Sequence, residues 1–515
     1  MAMKKDPKQW KHLGAHSRFE GEPSEVFTKR YYQPMIERTK PLYYACSLVN
    51  LAHVVMAVEE GIIPGEEGAK ILGIMLEMDE MGSAAFPFER ERGNIYLNME
   101  SYLMEKLGED VGGWAYIGRS RLDYEATIRR IYVRDELMRV IKSILSLIAV
   151  MVRKAGEQGG MLMPGYSHLQ HSQPCTFGHY VLSFVDAFFK DIERLRGAFE
   201  RTNLSPLGAV AGAGETIRLN RGRTTELLGF GSFLENAREA CFSRDYAAET
   251  YGCLSIFMSN LGQLATDMDL FCTHEFNMIE LADEFSGTSS FMPQKKNPLP
   301  LEAIRAYSGY FIGVLPSMLG VLKTNSEEVD IIEFTPDFAV GCFGMLIDMA
   351  ELMEGVMATM SIKEETMAER AKSNWCTASA LALLVSRKAN LSWRTAHRIV
   401  GGLVRVALRN GITPLEVTEQ LLTEAAHEIV GENIRLEIST EEIRKALDPA
   451  SFIRTRSTPG STNPKEVKRM AKDRMARWKR ERAWIEEEEV FISSAHDNLR
   501  KIARKMAQAS PLKRP

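Results

Sequence analysis

A chain of 515 residues with 64 Lys and Arg against 68 Asp and Glu carries a formal charge of −4, and the two signs are mixed along most of its length. That length suits two to four structural units, and the near balance of charge argues against nucleic acid or a membrane surface as partner. The first residues, MAMKKDPKQWKHLGAH, are polar with no apolar stretch behind them, and no later segment approaches the roughly 20 uncharged apolar residues of a membrane span, so the chain reads as cytoplasmic.

Cysteines 46, 175, 241, 253, 272, 342 and 376 are scattered, odd in number and without a CxxC pair. They read as buried free thiols, with neither a disulfide framework nor a zinc site. Strand signals are sparse, and 27 methionines with many alanines, leucines and glutamates favour helix, so the predicted fold is all-α.

Up to residue 117 the pattern predicts shorter helices, broken at Pro64-Gly65 and in GSAAFPFERERGN. The run IGRSRLDYEATIRRIYVRD at 117–135 opens on Gly118 and groups Arg119, Ser120 and Arg121 ahead of a helix that also carries Arg129 and Arg130. Donors so grouped suit carboxylate recognition; a helix entry with surface ion pairs is the plain alternative. Leu137, Val140, Ile141, Ile144, Leu145 and Ile148 then recur at helical spacing in a stretch apolar nearly all round, which predicts a helix buried among others.

MPGYSHLQHSQPCTFGHY at 163–180 sets Ser167, His168, Gln170, His171 and Gln173 around an apolar turn. These spacings, with His179, match no metal-ligand pattern, and no acidic set accompanies them. One histidine acting as acid or base, with the other two structural, is the economical reading. Helices follow over 179–201 (Val181, Leu182, Val185, Phe188, Phe189, Ile192), 250–272 (Leu254, Phe257, Met258, Leu261, Leu264, Met268) and 337–361 (Phe338, Phe343, Leu346, Met349, Leu352, Val356).

Between them, SGTSSFMPQKKNP at 286–298 reads as a mobile loop built for carboxylate and acid-base chemistry. Ser289 and Ser290 after a flexible glycine offer an oxygen, and Lys295 and Asn297 beyond a rigid proline offer an anion site; an ordinary Gly/Ser/Pro turn is the alternative. The loop feeds a helix over 299–323, which Pro316 should kink and which carries Glu302 one turn in, where a carboxylate suits orienting a histidine from elsewhere. After about 366 come short helices, a Gly-Ile-Thr-Pro turn at 411–414, and from about 465 blocks of basic and acidic residues that read as a solvated helix or an oligomer-facing arm. Three domains are expected: a helical 1–117, a long-helix bundle 118–366, and a helical 367–515 with a charged tail.

GTSSFMPQKKNP resembles the GSSxMPxKxN signature of the aspartase/fumarase superfamily, and the other two segments are similar to its remaining signatures in the argininosuccinate lyase branch, GRSRND and GYTHLQ. Three independent motifs in order, over about residues 14–485, make the resemblance specific. It implies a three-domain, mostly helical subunit whose bundles pack into a homotetramer, with each active site shared between three subunits. No cofactor is expected, and a metal is set aside on the histidine spacings above. It also implies reversible elimination of fumarate after a base removes the proton beside a carboxylate. Carried over by motif, the base is Ser289, with Ser290 a second candidate because Thr288 stands where glycine is usual. His168 pairs with Glu302 at the leaving nitrogen; Ser120, Arg121, Leu122, Ser167, Lys295 and Asn297 hold substrate.

The departures bear on the substrate. Leu122 replaces an asparagine, Asn94-Ile95-Tyr96 to Glu100 stands for DVHxxxE, and LPSMLGVLKTNSEEVDIIEF at 315–334 lacks the tyrosine, glutamine and lysine that grip arginine in argininosuccinate lyases. The fumarate half is retained and the amine half rebuilt, so an N-substituted aspartate with another amine is expected. Within the branch the resemblance is nearest to lyases of ethylenediamine-N,N'-disuccinate (EDDS), which release fumarate and N-(2-aminoethyl)aspartate; on charge alone Arg30 or Lys323 would meet the second succinyl arm. Argininosuccinate as substrate, a silent, crystallin-like structural role and a metal-dependent hydrolase are the rivals.

Overall fold

The computed structural model describes residue 11 and residues 21–326, 340–431 and 434–509. Near the N-terminal end lie α1 (Tyr43–Glu59), α2 (Gly65–Ala85) and α3 (Ile95–Leu107), broken at Pro64, which occupies the N-cap position of α2, and at Asn94, which caps α3 by accepting the Leu97 amide. The bundle follows as α4 (Arg121–Glu157), α5 (Phe177–Thr202), α6 (Asp245–Cys272), α7 (Leu299–Leu322) and α8 (Val340–Thr359). Next come α9 (Ala378–Lys388), α10 (Trp393–Arg409), α11 (Glu419–Val430) and α12 (Thr440–Leu447), and finally the 46-residue α13 (Pro464–Ala509). Strands among the described residues are two-residue pairings, so the all-α expectation holds.

The apolar stripes read from sequence face one another. α4 packs on α5 and α8, α5 on α6, and α6 on α7. One apolar cluster runs from Leu42 through these helices to Ala503, while Trp375 to Leu447 form a separate core. Burying a large side chain such as Phe188 or Phe257 stabilises by about 1.5–3 kcal/mol, so the stacked stripes fix the bundle. α7 continues through Pro316 to Leu322. Residues 337–339 of the predicted 337–361 helix lie outside the described residues.

Two expectations change. α13 is docked rather than solvated: Ile485, Ile492 and Leu499 are buried, Trp478 Nε1 donates to the Leu145 carbonyl at 2.7 Å, and Arg474 forks onto Asp186 at 2.7 and 2.9 Å. The helical stretch Glu25–Glu59 is long and apolar enough to span a membrane, contrary to the sequence expectation, but 83% of its most apolar window is buried in the fold, as in a core helix. All seven cysteines are free, and burial pushes thiols such as Cys46 and Cys175 up to about 12.

Candidate active site

The first signature segment is the entry to α4. Gly118 has φ 66°, and a Cβ there would come within 3.0 Å of Leu219 Cδ2. Ser120 caps the helix: its Oγ accepts the Leu122 amide at 3.2 Å, and its own amide donates to Asp123 Oδ1 at 3.1 Å, a capping box. The other carboxylate oxygen of Asp123 accepts the amides of Gly208 (2.9 Å) and Val210 (3.0 Å). Burial of Asp123 outweighs these donors and raises its carboxyl to about 6.

Arg119, grouped by sequence with the ligand donors, is instead buried in a cage of rings, 4.6 Å from Tyr116, 5.0 Å from Tyr124 and 5.6 Å from Tyr96, with Nη1 donating to Asn50 Oδ1 at 2.8 Å. It anchors the turn and leaves Ser120 and Arg121, both half-buried, nearer solvent. Beside it, burial raises the Glu100 carboxyl. Arg129 and Arg130 are buried too, on Glu125 and on the Arg201 and Thr202 carbonyls, so the surface ion-pair alternative does not describe them. Leu122 packs against a small apolar cluster with Ala209, Leu234, Ala240 and Cys241.

The second segment is a hairpin of β1 (Tyr166–Ser167) and β2 (Gln170–His171), with Ser167 opposite Gln170. His168 and Leu169 form the two-residue turn with φ 55° and 57°, the left-handed geometry that favours glycine or asparagine. Holding two other residues there costs roughly 1–3 kcal/mol each, strain of the kind that collects at functional sites. His168 and Ser167 are exposed, and His168 makes no hydrogen bond among the described residues. His171 Nδ1 lies 3.2 Å from Ser373 Oγ, with its pKa lowered by burial, and His179 Nε2 lies 3.0 Å from the Gly460 carbonyl. Those two histidines tie the hairpin and α5 to the C-terminal part of the chain.

The third segment is a loop closed at its base by β3 (Gly287–Thr288) and β4 (Lys296–Asn297), pairing Gly287 with Asn297 and Thr288 with Lys296. Gly287 is required: a Cβ would stand 2.3 Å from Leu299 Cδ1. Thr288 is exposed, so its bulk is accommodated in this register. Ser289 Oγ accepts the Met292 amide at 2.9 Å and the Phe291 amide at 3.3 Å; Ser290 is exposed, and Phe291 at the tip is 91% exposed.

Lys296 is committed to Asp283 (2.8 Å) and Glu280 (3.2 Å), which raise its pKa, and Lys363 also holds Glu280 at 3.1 Å. Lys295 is exposed and, with Asn297, lines a cavity of about 520 Å³ shared with His274, Glu280 and Lys363. Glu302 is exposed in the first turn of α7, and no hydrogen bond joins it to His168 within the chain among the described residues. The described residues contain no group of three or more His, Cys, Asp and Glu placed to hold a metal ion.

The three segments do not meet in one chain. Ser120 starts the 37-residue α4 and the His168 hairpin follows its other end; at about 1.5 Å per residue the ends are about 54 Å apart. The serine loop belongs to the hairpin's end, since Tyr166 packs on Phe271 and Phe276 and Tyr180 donates to Asp267 at 3.0 Å. Motif reading missed Asp123, the cage around Arg119 and the loop after α5; the glycines of GAVAGAG at 208–214 were the available signal for the last.

Residues 25–313 match the lyase family and residues 375–454 the argininosuccinate lyase C-terminal family. Argininosuccinate lyase of Methanocaldococcus jannaschii is 37% identical over 455 residues, 87% of this chain and 92% of that protein. That of Methanosarcina mazei is 36% identical over 471 residues, 91% of this chain and 94% of that protein. An EDDS lyase solved with formate superposes with a TM-score of 0.84 at 30% identity, covering 96% of this chain and 97% of that one, and a variant with bound fumarate gives the same values. The class II fumarase of Schistosoma mansoni, at 15% identity and a TM-score of 0.65 over 83% of this chain and 92% of that one, shares the fold. The chain belongs to the aspartase/fumarase superfamily, in its argininosuccinate lyase branch. Its chemistry is that of a carbon–nitrogen lyase releasing fumarate.

Proposed function

We propose that the chain cleaves an N-substituted aspartate whose amine half is not arginine, with EDDS as the preferred substrate, and that it does so as a homotetramer with each site shared between three subunits. The observation that supports a site shared between subunits is the separation of Ser120 from His168 along α4: the polar groups, half-buried or exposed, lie too far apart to meet within one chain, and the count of three rests on the signature resemblance. The division into 1–117, 118–366 and 367–515 is part of this reading; the separate core of Trp375 to Leu447 supports a third unit, while α13 shares the apolar cluster of the bundle.

In the proposed reaction Ser289, as alkoxide, takes the proton from the carbon beside a substrate carboxylate. The electron pair moves into that carboxylate as an enediolate, then forms the fumarate double bond as the C–N bond breaks, and the amine leaves with a proton. Serine is a poor base at its ordinary pKa, so nearby cations and exclusion of water by the loop must activate it. Lys295 and Asn297 face the enediolate, where one preorganised donor is typically worth about 3 kcal/mol. Ser120, Arg121 and Ser167 hold the carboxylates. His168, supported by Glu302 from another subunit, serves the nitrogen; Ser290 is the second candidate base.

Leu122 supports an amine other than arginine. It offers no hydrogen bond and packs against the apolar cluster beside the site. The altered 315–334 segment adds to this from sequence, though residues 327–334 lie outside the described residues. Argininosuccinate is the second reading, favoured by 37% identity over most of an argininosuccinate lyase. Purified protein offered EDDS and argininosuccinate separately, with fumarate followed by ultraviolet absorbance, decides between them. Fumarate from EDDS and not from argininosuccinate is expected; the reverse sinks the preferred substrate, and fumarate from neither favours a structural role.

A further inference from the structure

The segment from Pro206 to Asn220 belongs to none of the three signatures, yet it is fastened to the first. Asp123 accepts the Gly208 and Val210 amides, and Val210 sits at φ 58°, rare for a β-branched residue. Arg221 staples the segment's far end to its start and to its neighbour, donating to the Leu207 carbonyl at 3.1 Å and the Leu234 carbonyl at 2.7 Å. Leu219 fills the space a Cβ on Gly118 would need, and Asn220 donates to Glu60 at 2.7 Å.

Inside this pinned frame the Leu219 amide donates to the Ile217 carbonyl at 2.9 Å, a three-residue turn with Arg218 at its apex. Arg218 is exposed, and its guanidinium has no ion pair or hydrogen bond among the described residues. Its neighbours are committed: Arg221 to carbonyls, Arg223 to Glu59 at 2.8 Å and Glu226 at 2.9 Å. The Cα of Arg218 is about 3.8 Å from that of Leu219, and Leu219 Cδ2 stands 3.0 Å from where a Cβ on Gly118, two positions before Ser120, would be.

We propose that Arg218 is a specificity residue, the guanidinium that receives a carboxylate on the amine arm of the substrate. This rests on the reading above that the arm carries carboxylates. A planar guanidinium with its donors unspent matches a carboxylate in two-pronged fashion, and a tight turn on a pinned loop holds it there at low entropic cost. Residues that bind the fumarate half act on every substrate; a residue on this rim acts where there is a distal carboxylate to hold.

The test compares Arg218→Gln and Arg218→Lys with wild type on EDDS, which has the second succinyl arm, and on N-(2-aminoethyl)aspartate, which lacks it. Loss of one charge-assisted contact predicts a KM for EDDS about 10-fold or more higher in Arg218→Gln, with kcat within about twofold. The KM for N-(2-aminoethyl)aspartate should be unchanged, and Arg218→Lys should recover part of the EDDS value. Equal changes on both substrates, or none on EDDS, overturn the role of Arg218 and leave the substrate reading standing. A wild type that releases fumarate from argininosuccinate but not from EDDS overturns the substrate reading and this proposal with it.

Discussion

The Asp123 carboxylate accepts the Val210 amide at 3.0 Å and holds that residue in the left-handed region, on the same side chain that accepts the Ser120 amide at the start of α4. One buried acid thus joins the serine turn to the glycine-rich loop after α5. Asp123→Ala removes the acceptor for three amides, each worth about 1–3 kcal/mol if left unpaired. A fall in thermal stability and a raised KM are expected together, from denaturation curves and steady-state kinetics. Asp123→Asn, which keeps one acceptor oxygen, should fall between.

Neighbouring lysines in the serine loop should behave differently. Lys296 is spent on Asp283 and Glu280 near the surface, where such pairs contribute about 0–1 kcal/mol, so Lys296→Met should change kcat/KM by less than about fivefold. Lys295 is exposed beside the cavity, and Lys295→Met should lower kcat/KM by about 100-fold or more. Equal effects would contradict the division between latch and ligand site.

Gly287→Ala forces a methyl into Leu299, and overpacking of this kind costs about 1–3 kcal/mol. Because the clash is at the loop base, kcat should fall while the unfolding temperature of the bundle hardly moves. The double variant Gly287→Ala, Leu299→Ala should regain activity; failure to do so would place the cost elsewhere than in this contact.

One buried and one half-buried histidine predict the acid limb of stability. Burial holds His53 at about 3 and His496 at about 4, each with Nε2 on a backbone carbonyl, Ile117 at 2.9 Å and Leu228 at 3.2 Å. In the unfolded chain both take up protons near pH 6.5. Their contribution is therefore full above that pH and is lost as pH falls through 6.5 toward 4 and 3. His496→Gln should make stability less steep between about pH 6.5 and 4, and hydrogen exchange in α13 should show wild type loosening there on acidification. A wild-type slope in the variant would exclude His496 as the source.

The helices were legible because their apolar positions recur at 3.6-residue spacing over long runs, and the signature segments because serine, histidine, lysine and glycine stand at fixed offsets. What escaped depends on contacts far apart in sequence. Asp123 looks like any helix-entry acid until Gly208 and Val210 are folded against it, and Arg119 looks like a ligand donor until three tyrosines close around it. α13 was hidden by its own charge: Ala471, Trp478, Ile485, Ile492, Leu499 and Met506 recur every seven residues, a stripe that composition alone obscures.

The assignment of the base is tested most directly by following fumarate formation from EDDS with wild type, Ser289→Ala and Ser290→Ala side by side. Loss of a general base costs about 100- to 10,000-fold, so Ser289→Ala should fall by at least that lower factor while Ser290→Ala retains turnover. Wild-type turnover by Ser289→Ala, or loss confined to Ser290→Ala, would contradict the assignment.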